Sequence, residues 1–366
     1  MKTTPDDHET PARRETRGGR LLAEVAGLSP AYFGMVMATG IVSLAAHALG
    51  HPLIAHVLYG LNVAAYAVLW ILTALRVARY PRRVLDDLFD HLRGPGFFTA
   101  VAATSVLGSQ ALLLSDDEGA AAALWALALT LWVVLTYAIF AGLTVKARKP
   151  QLGEGINGAW LLAVVATQSI ALLAALLAAR AGQPWRLELD FLALAMWLAG
   201  GMLYIWLASL IFYRYTFFAF SPADLSPPYW INMGAMAIST LAGSLLVRNA
   251  PDAPFLASLL PFIKGFTIFY WATGTWWVPM LAVLAFWRYV WRRFPMKYDP
   301  LYWGAIFPLG MYAAGTHEMI EAMGLPFLAF LPPVFLYLGL AAWAAALFGL
   351  LRDLLRRVRG RPEGVA

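Results

Sequence analysis

The sequence predicts an all-α integral membrane protein of ten transmembrane helices paired as five hairpins. Three observations predict it. The chain is 61% hydrophobic and 13% charged with a mean hydropathy of +0.65, so its 366 residues carry too little polar surface for a soluble domain. Ten stretches are apolar over the roughly 20 residues that cross a ~30 Å hydrocarbon core as a helix. Five of these open alike, on an aromatic, glycine or proline cluster, and reach small or polar residues near their middle.

The ten stretches cover 29–49, 53–79, 96–115, 119–145, 157–180, 187–213, 227–247, 261–289, 301–320 and 326–351. Before them, residues 1–27 are charged, hold Gly18-Gly19 and lack an apolar core with a cleavage site, which predicts a disordered cytoplasmic tail. The first hairpin opens on Leu28-Ser-Pro-Ala-Tyr-Phe-Gly34 and the second on Gly94-Pro-Gly-Phe-Phe98. The third opens on Gly155-Ile-Asn-Gly-Ala-Trp160, the fourth on Ser226-Pro-Pro-Tyr-Trp230 and the fifth on Asp299-Pro-Leu-Tyr-Trp303. A threonine follows three of these openings seven residues on, from Tyr32 to Thr39, Phe97 to Thr104 and Trp160 to Thr167. The fourth core reads Ala237-Ile-Ser-Thr240 and the fifth Phe307-Pro-Leu-Gly310.

The even-numbered stretches are richer in Leu, Ala, Val and Trp. That contrast predicts two layers, odd helices inside and even helices against lipid, because small residues let helices approach closely. The link at about 80–95, with Arg82-Arg83 and Asp86-Asp87, predicts an interfacial helical turn. One membrane domain is expected over 28–352, followed by a basic cytoplasmic tail over 353–366.

The net charge of +6 is a topology signal. All but four of the 27 Lys and Arg lie in the tails or beside the links that follow even-numbered stretches; the exceptions are Arg180, Arg186, Arg248 and Lys264. By the positive-inside rule both termini are cytoplasmic and the odd helices all run outward. A multi-pass protein of the inner, plasma-type membrane follows, with the lipid bilayer rather than nucleic acid as its partner. Without cysteine, neither disulfides nor thiol chemistry is available.

No His-Glu-x-x-His pair, phosphate-binding glycine loop or Ser/His/Asp context is present, so no enzyme, cofactor or metal is expected. Acidic residues at membrane depth, on which cation-coupled carriers rely, are nearly absent. A central path would then suit anions or neutral solutes, with the hydroxyls of Thr39, Thr104, Thr167, Ser239 and Thr240 as candidate pore-lining donors. The other reading of these hydroxyls is packing, each bonded to its own i−4 carbonyl in a helix interface. Lys264 either snorkels to the interface or draws anions to an outer vestibule. His317 and Glu318, with Glu321, form a candidate proton site or polar cap of the ninth helix. Pro308 removes a backbone donor and kinks that helix. The kink aims Phe307 either into the central space as a hydrophobic gate or against a neighbouring helix.

Four segments carry a family resemblance: Pro30-Ala-Tyr-Phe-Gly-Met-Val-Met-Ala-Thr-Gly-Ile41, Trp230-Ile-Asn-Met-Gly-Ala-Met-Ala-Ile238, Phe269-Tyr-Trp-Ala-Thr-Gly-Thr-Trp-Trp277 and Tyr302-Trp-Gly-Ala-Ile-Phe-Pro-Leu-Gly-Met311. With them the chain resembles the tellurite-resistance/dicarboxylate transporter family, which includes tellurite-resistance permeases, malate permeases, sulfite pumps and plant slow anion channels. The resemblance implies quasi-fivefold symmetry around a central pore, commonly a homotrimer, and a pore plug at the Phe of the aromatic-x-x-x-Phe-Pro segment, here Phe307. The expected function is an anion channel or permease for small inorganic anions or C4-dicarboxylates such as malate. The alternatives are a proton-coupled C4-dicarboxylate symporter, for which Lys264 or His317 and Glu318 would be essential, a sulfite or tellurite exporter, and a non-transporting membrane sensor.

Overall fold

The computed structural model describes residues 24–295 and 298–358. Residues 1–23 and 359–366 of the expected tails lie outside these. Ten long helices follow in order: α1 (Phe33–Ala48), α2 (Pro52–Arg79), α3 (Phe98–Ser115), α4 (Glu118–Val145) and α5 (Leu162–Arg180). The second half holds α6 (Trp185–Phe217), α7 (Ile231–Asn249), α8 (Leu260–Phe286), α9 (Trp303–Met323) and α10 (Leu331–Val358). No strand occurs among the described residues.

Nine of the described helical stretches are long and apolar enough to cross a membrane, and α9 is not one of them. Its Pro308, glycines, His317, Glu318 and Glu321 dilute the hydropathy. Protein surrounds most of α9, so these groups do not have to face lipid.

The five openings singled out in the sequence are five 3₁₀ turns, Pro30–Tyr32, Gly94–Phe97, Gly158–Leu161, Pro227–Trp230 and Pro300–Tyr302, each leading into an odd helix. Proline in the first turn suits a position whose N–H would be unsatisfied anyway. Ser29, Asn157 and Asp299 cap three of the turns by accepting from the amides of Ala31, Ala159 and Leu301. The turns also touch one another in a closed ring. Glycine is required at 158, where a Cβ would lie 2.5 Å from the carbonyl oxygen of Pro228.

The odd helices form the same closed ring above them, α1–α3–α5–α7–α9 and back to α1, and each carries its following even helix on the outside. Burial separates the two layers. The spans of α1, α3, α5 and α7 are 72–94% buried, against 17–22% for those of α2, α4, α8 and α10 and 44% for that of α6. The hairpin turns are tight, with Gly50 and Asp116 in the left-handed region (φ 79° and 54°) and Gly324 (φ 69°) ending α9.

Buried arginines fasten the links at the opposite end. Arg76, at the end of α2, bonds Asp87 at 2.5 Å and the carbonyl of Ala26 at 3.3 Å, and Arg93 reaches Asp87 at 3.1 Å. Asp87 belongs to the interfacial helix expected in this link, Pro81–Leu88. Residues 24–27, expected in a disordered tail, are helical, with Val25 and Ala26 buried, because Arg76 holds that carbonyl. At the far end α10 runs to Val358, beyond the expected limit of the membrane domain at 352. Arg214, at the end of α6, is likewise buried and donates to Gly153 O at 2.7 Å, to Tyr229 Oη and to Asp224 Oδ1 at 3.2 Å.

Candidate functional site

The hydroxyls expected on a central path face mainly the other way. Trp343 Nε1 of α10 donates to Thr39 Oγ1 (2.9 Å), Tyr66 Oη of α2 lies 2.9 Å from Thr104 Oγ1, and Trp132 Nε1 of α4 donates to Thr167 Oγ1 (2.8 Å). Trp197 Nε1 of α6 donates to the carbonyl of Ser239 (2.8 Å), and Trp271 Nε1 of α8 to Thr316 Oγ1 (3.1 Å). In every case an aromatic donor on one hairpin's outer helix reaches the inner helix of the next hairpin, and α10 to α1 closes the circle. The recurring threonine is thus an interlayer lock. Thr104 and Thr167 also donate to their own i−4 carbonyls, as do Ser239 and Thr240.

Without a hydrophobic force between helices in lipid, such bonds and close packing hold the layers together. Replacing Trp132 with Phe is expected to lower stability by about 0.6–2 kcal/mol, read as a fall in thermal midpoint in detergent. An unchanged midpoint would remove the lock from this hairpin.

The contacts set each inner helix in rotation, at about 100° per residue. On α9, Gly310 lies against Ile41 and Val42 of α1, Gly315 against the carbonyl of Ala237 of α7, and Thr316 toward α8. The remaining face, toward the ring axis, carries Phe307, Met311, Ala314 and Glu318. On α3, Thr104 turns to α2, Val106 to Gly40 of α1 and Gly108 to Leu173 of α5. This leaves Ala102, Ser105 and Ser109 for the axis. On α5, Gln168 donates to Trp197 O of α6 while Thr167 faces α4, leaving Val165, Ser169 and Leu176. Met37 and Ile41 of α1 and Ile238 and Leu245 of α7 complete the lining by the same geometry.

Phe307 is wholly buried, as are Met37, Ile41, Val165, Ile238 and Met311. Gly234 of α7 makes room for it, since a Cβ there would lie 2.8 Å from Pro308 Cγ and 3.3 Å from Phe307 Cδ1. The bulkiest axial side chain thus sits beside the one residue type that has no side chain to oppose it.

Near the hairpin turns a cavity of about 290 Å³ lies between α3, α5 and α7, lined by leucines of these helices with Arg180, Arg186, Arg248 and Asn249. Each arginine pairs with an acid: Arg180 with Asp116 (2.8 Å), Arg186 with Asp252 (2.6 Å) and Arg248 with Glu318 (2.5 Å). Glu318 therefore belongs to an ion pair at this cavity. Among the described residues, no three His, Asp or Glu side chains are placed to hold a metal ion. Lys264 sits on α8, in the outer layer and away from the axis.

The cavity arginines escaped sequence reasoning because they looked like ordinary loop charges. The axial serines were hidden by the more conspicuous threonines. The one available signal was the second hydroxyl beside each, in Thr104-Ser105 and Thr167-Gln-Ser169.

A closed ring of five buried helices inside five lipid-type apolar helices defines a membrane protein of the channel and transporter class. A family model described as voltage-dependent anion channel (SLAC1) matches residues 27–351, and the chain belongs to that family. An uncharacterized membrane protein of Mycobacterium tuberculosis strain H37Rv is 36% identical over 152 residues, 42% of this chain and 77% of that protein. Two uncharacterized transporters of Methanocaldococcus jannaschii are 24% identical over 302 residues and 25% identical over 293. They cover 80% and 79% of this chain, and 85% and 82% of their own lengths.

Proposed function

We propose that this protein passes small anions along the ring axis, with Phe307 as the plug and Pro308 setting its position. The observation that carries the reading is the wholly buried phenyl ring on the axis, received by Gly234. A closed apolar constriction of this kind gates by excluding water. The positive-inside rule puts the termini and the Arg-rich links in the cytoplasm of a plasma-type membrane, and the arginine-lined cavity outside.

The test is flux from proteoliposomes loaded in turn with chloride, nitrate, sulfite, tellurite and malate. Gly234→Ala is the informative variant. Its methyl group displaces Pro308 and the ring of Phe307, and basal anion flux should rise about threefold or more if the plug is loosened. Absence of flux for every anion, in wild type and in correctly folded Gly234→Ala, would sink the transport reading.

A further inference from the structure

Four outer helices end on a cation beside the opening turns: Arg76 of α2, Lys146 after α4, Arg214 of α6 and Arg288 in the turn after α8. Three of them donate to a backbone carbonyl just before an opening turn, Arg76 to Ala26 (3.3 Å), Lys146 to Phe89 (2.8 Å) and Arg214 to Gly153 (2.7 Å). Arg76 and Arg214 also meet an acid, Asp87 at 2.5 Å and Asp224 at 3.2 Å. Arg288 is as deeply buried as Arg214, each 7% exposed. Yet among the described residues its Nε has no hydrogen-bond partner and no carboxylate pairs with it. A guanidinium withdrawn from water without an anion is costly to the fold.

The local backbone fixes Arg288 in this place. Trp287–Trp291 is a π turn, closed by the amide of Arg292 on the carbonyl of Trp287 (2.9 Å), and the amide of Phe294 bonds the carbonyl of Arg288 (3.0 Å). Such wide turns are frequent at functional sites. Arg293 turns the chain back at φ 49°, in the left-handed region. The guanidinium of Arg288 then lies 4.3 Å from the ring centroid of Phe294 and 5.1 Å from that of Tyr289. The hydroxyl of Tyr289 is 3.0 Å from that of Tyr302, which holds the π turn against the opening turn of α9. A guanidinium stacked on aromatic rings keeps its in-plane N–H donors, and their fork matches two oxygens of a phosphate. Arg292 and Arg293 are exposed beside it, as are Phe286, Val290 and Trp291 on the lipid-type surface of this helix. Cations next to exposed tryptophan mark the depth of lipid headgroups.

We propose that Arg288, with Arg292 and Arg293 at its edge, binds a phosphate group at the membrane surface, as an anionic phospholipid headgroup presents it. The phosphate takes the place that Asp87 and Asp224 hold beside Arg76 and Arg214. The site belongs to the outer layer, so the inference is independent of the ring axis and of the plug proposed there.

The experiment is native mass spectrometry of the full chain in detergent, with thermal midpoints taken in parallel. The titrants are phosphatidylglycerol, diacylglycerol of the same acyl chains, and sodium phosphate. Wild type should retain phosphatidylglycerol and melt higher with it, while diacylglycerol has neither effect. Arg288→Met should bind phosphatidylglycerol about tenfold or more weakly, the loss of hydrogen bonds to a charged group. Arg288→Lys, which keeps the charge but not the fork, should fall between the two. Without lipid, Arg288→Met should melt no lower than wild type, because it removes an unpaired buried charge. Arg292→Gln, at an exposed position, should weaken binding about fivefold. A rise in midpoint from sodium phosphate that Arg288→Met abolishes, with nothing added by phosphatidylglycerol, would support the site and assign it to free phosphate. Equal phosphatidylglycerol binding by Arg288→Met and wild type, or equal binding of diacylglycerol and phosphatidylglycerol, would overturn the proposal. If Arg288→Met fails to fold, unchanged binding by Arg292→Gln overturns it in the same way.

Discussion

Truncating Phe307 to Ala should raise anion flux at least about tenfold, the consequence of removing some 1.4 kcal/mol or more from the barrier at a dewetted constriction. The phenyl is wholly buried, and Gly234 of α7 has no side chain to take its place. A Phe→Ala change in a sealed core costs about 3–5 kcal/mol through the cavity it leaves. A gate residue borders a path that hydrates once the ring is removed, so for a gate the loss of stability should be smaller. Flux in reconstituted liposomes and the thermal midpoint together separate a gate from a packing residue. Raised flux with a modest fall in midpoint supports the gate. A large fall with unchanged flux would return Phe307 to the packing role that the sequence left open.

Replacing Arg214 with Met should cost about 1.5–3 kcal/mol, the loss of hydrogen bonds to a buried charged group whose acid partner, Asp224, remains partly exposed. Arg214 joins three pieces of chain: Gly153 in one link, Asp224 in another and Tyr229 in the opening turn of α7. Methionine fills the volume and satisfies none of these partners. Thermal unfolding in detergent should show a fall of several degrees, and a midpoint equal to wild type would reduce Arg214 to a topology signal.

The Asp224 partner adds a pH dependence. Partial burial acts to raise its carboxyl, but hydrogen bonds from the Ser221 hydroxyl and amide and the charge of Arg214 outweigh this and hold it below the usual carboxylate range. A depressed folded value means that the contribution is present above the unfolded value and is lost as pH falls through the folded one. The link should therefore hold at neutral pH and loosen only in acid.

The openings were the most legible part of the chain, because Pro, Gly and capping residues act locally and over a few residues. Hairpin pairing was legible for a related reason: short links leave consecutive helices little choice but to lie side by side. The site was less so. Thr39, Thr104 and Thr167 recur at one spacing, and that recurrence reflects a repeated contact. Spacing does not say whether a neighbouring helix or an open path receives the hydroxyl. Their partners, Trp343, Tyr66 and Trp132, lie 304, 38 and 35 residues away, and no local pattern links them. Phe307 stood out because proline follows it, a covalent feature visible without any fold.

By itself the sequence determined the membrane class, the hairpin order and the polarity of the inner helices. These follow from hydropathy, charge placement and turn chemistry, which are properties of single segments. Only the tertiary structure decided which face of each inner helix meets the axis. A rotation of about 100° separates adjacent residues on a helix, and close contacts at glycines 40, 108, 234, 310 and 315 select among the possible settings. Those contacts turn Thr39, Thr104 and Thr167 to the outer layer and set Phe307 and Pro308 against Gly234.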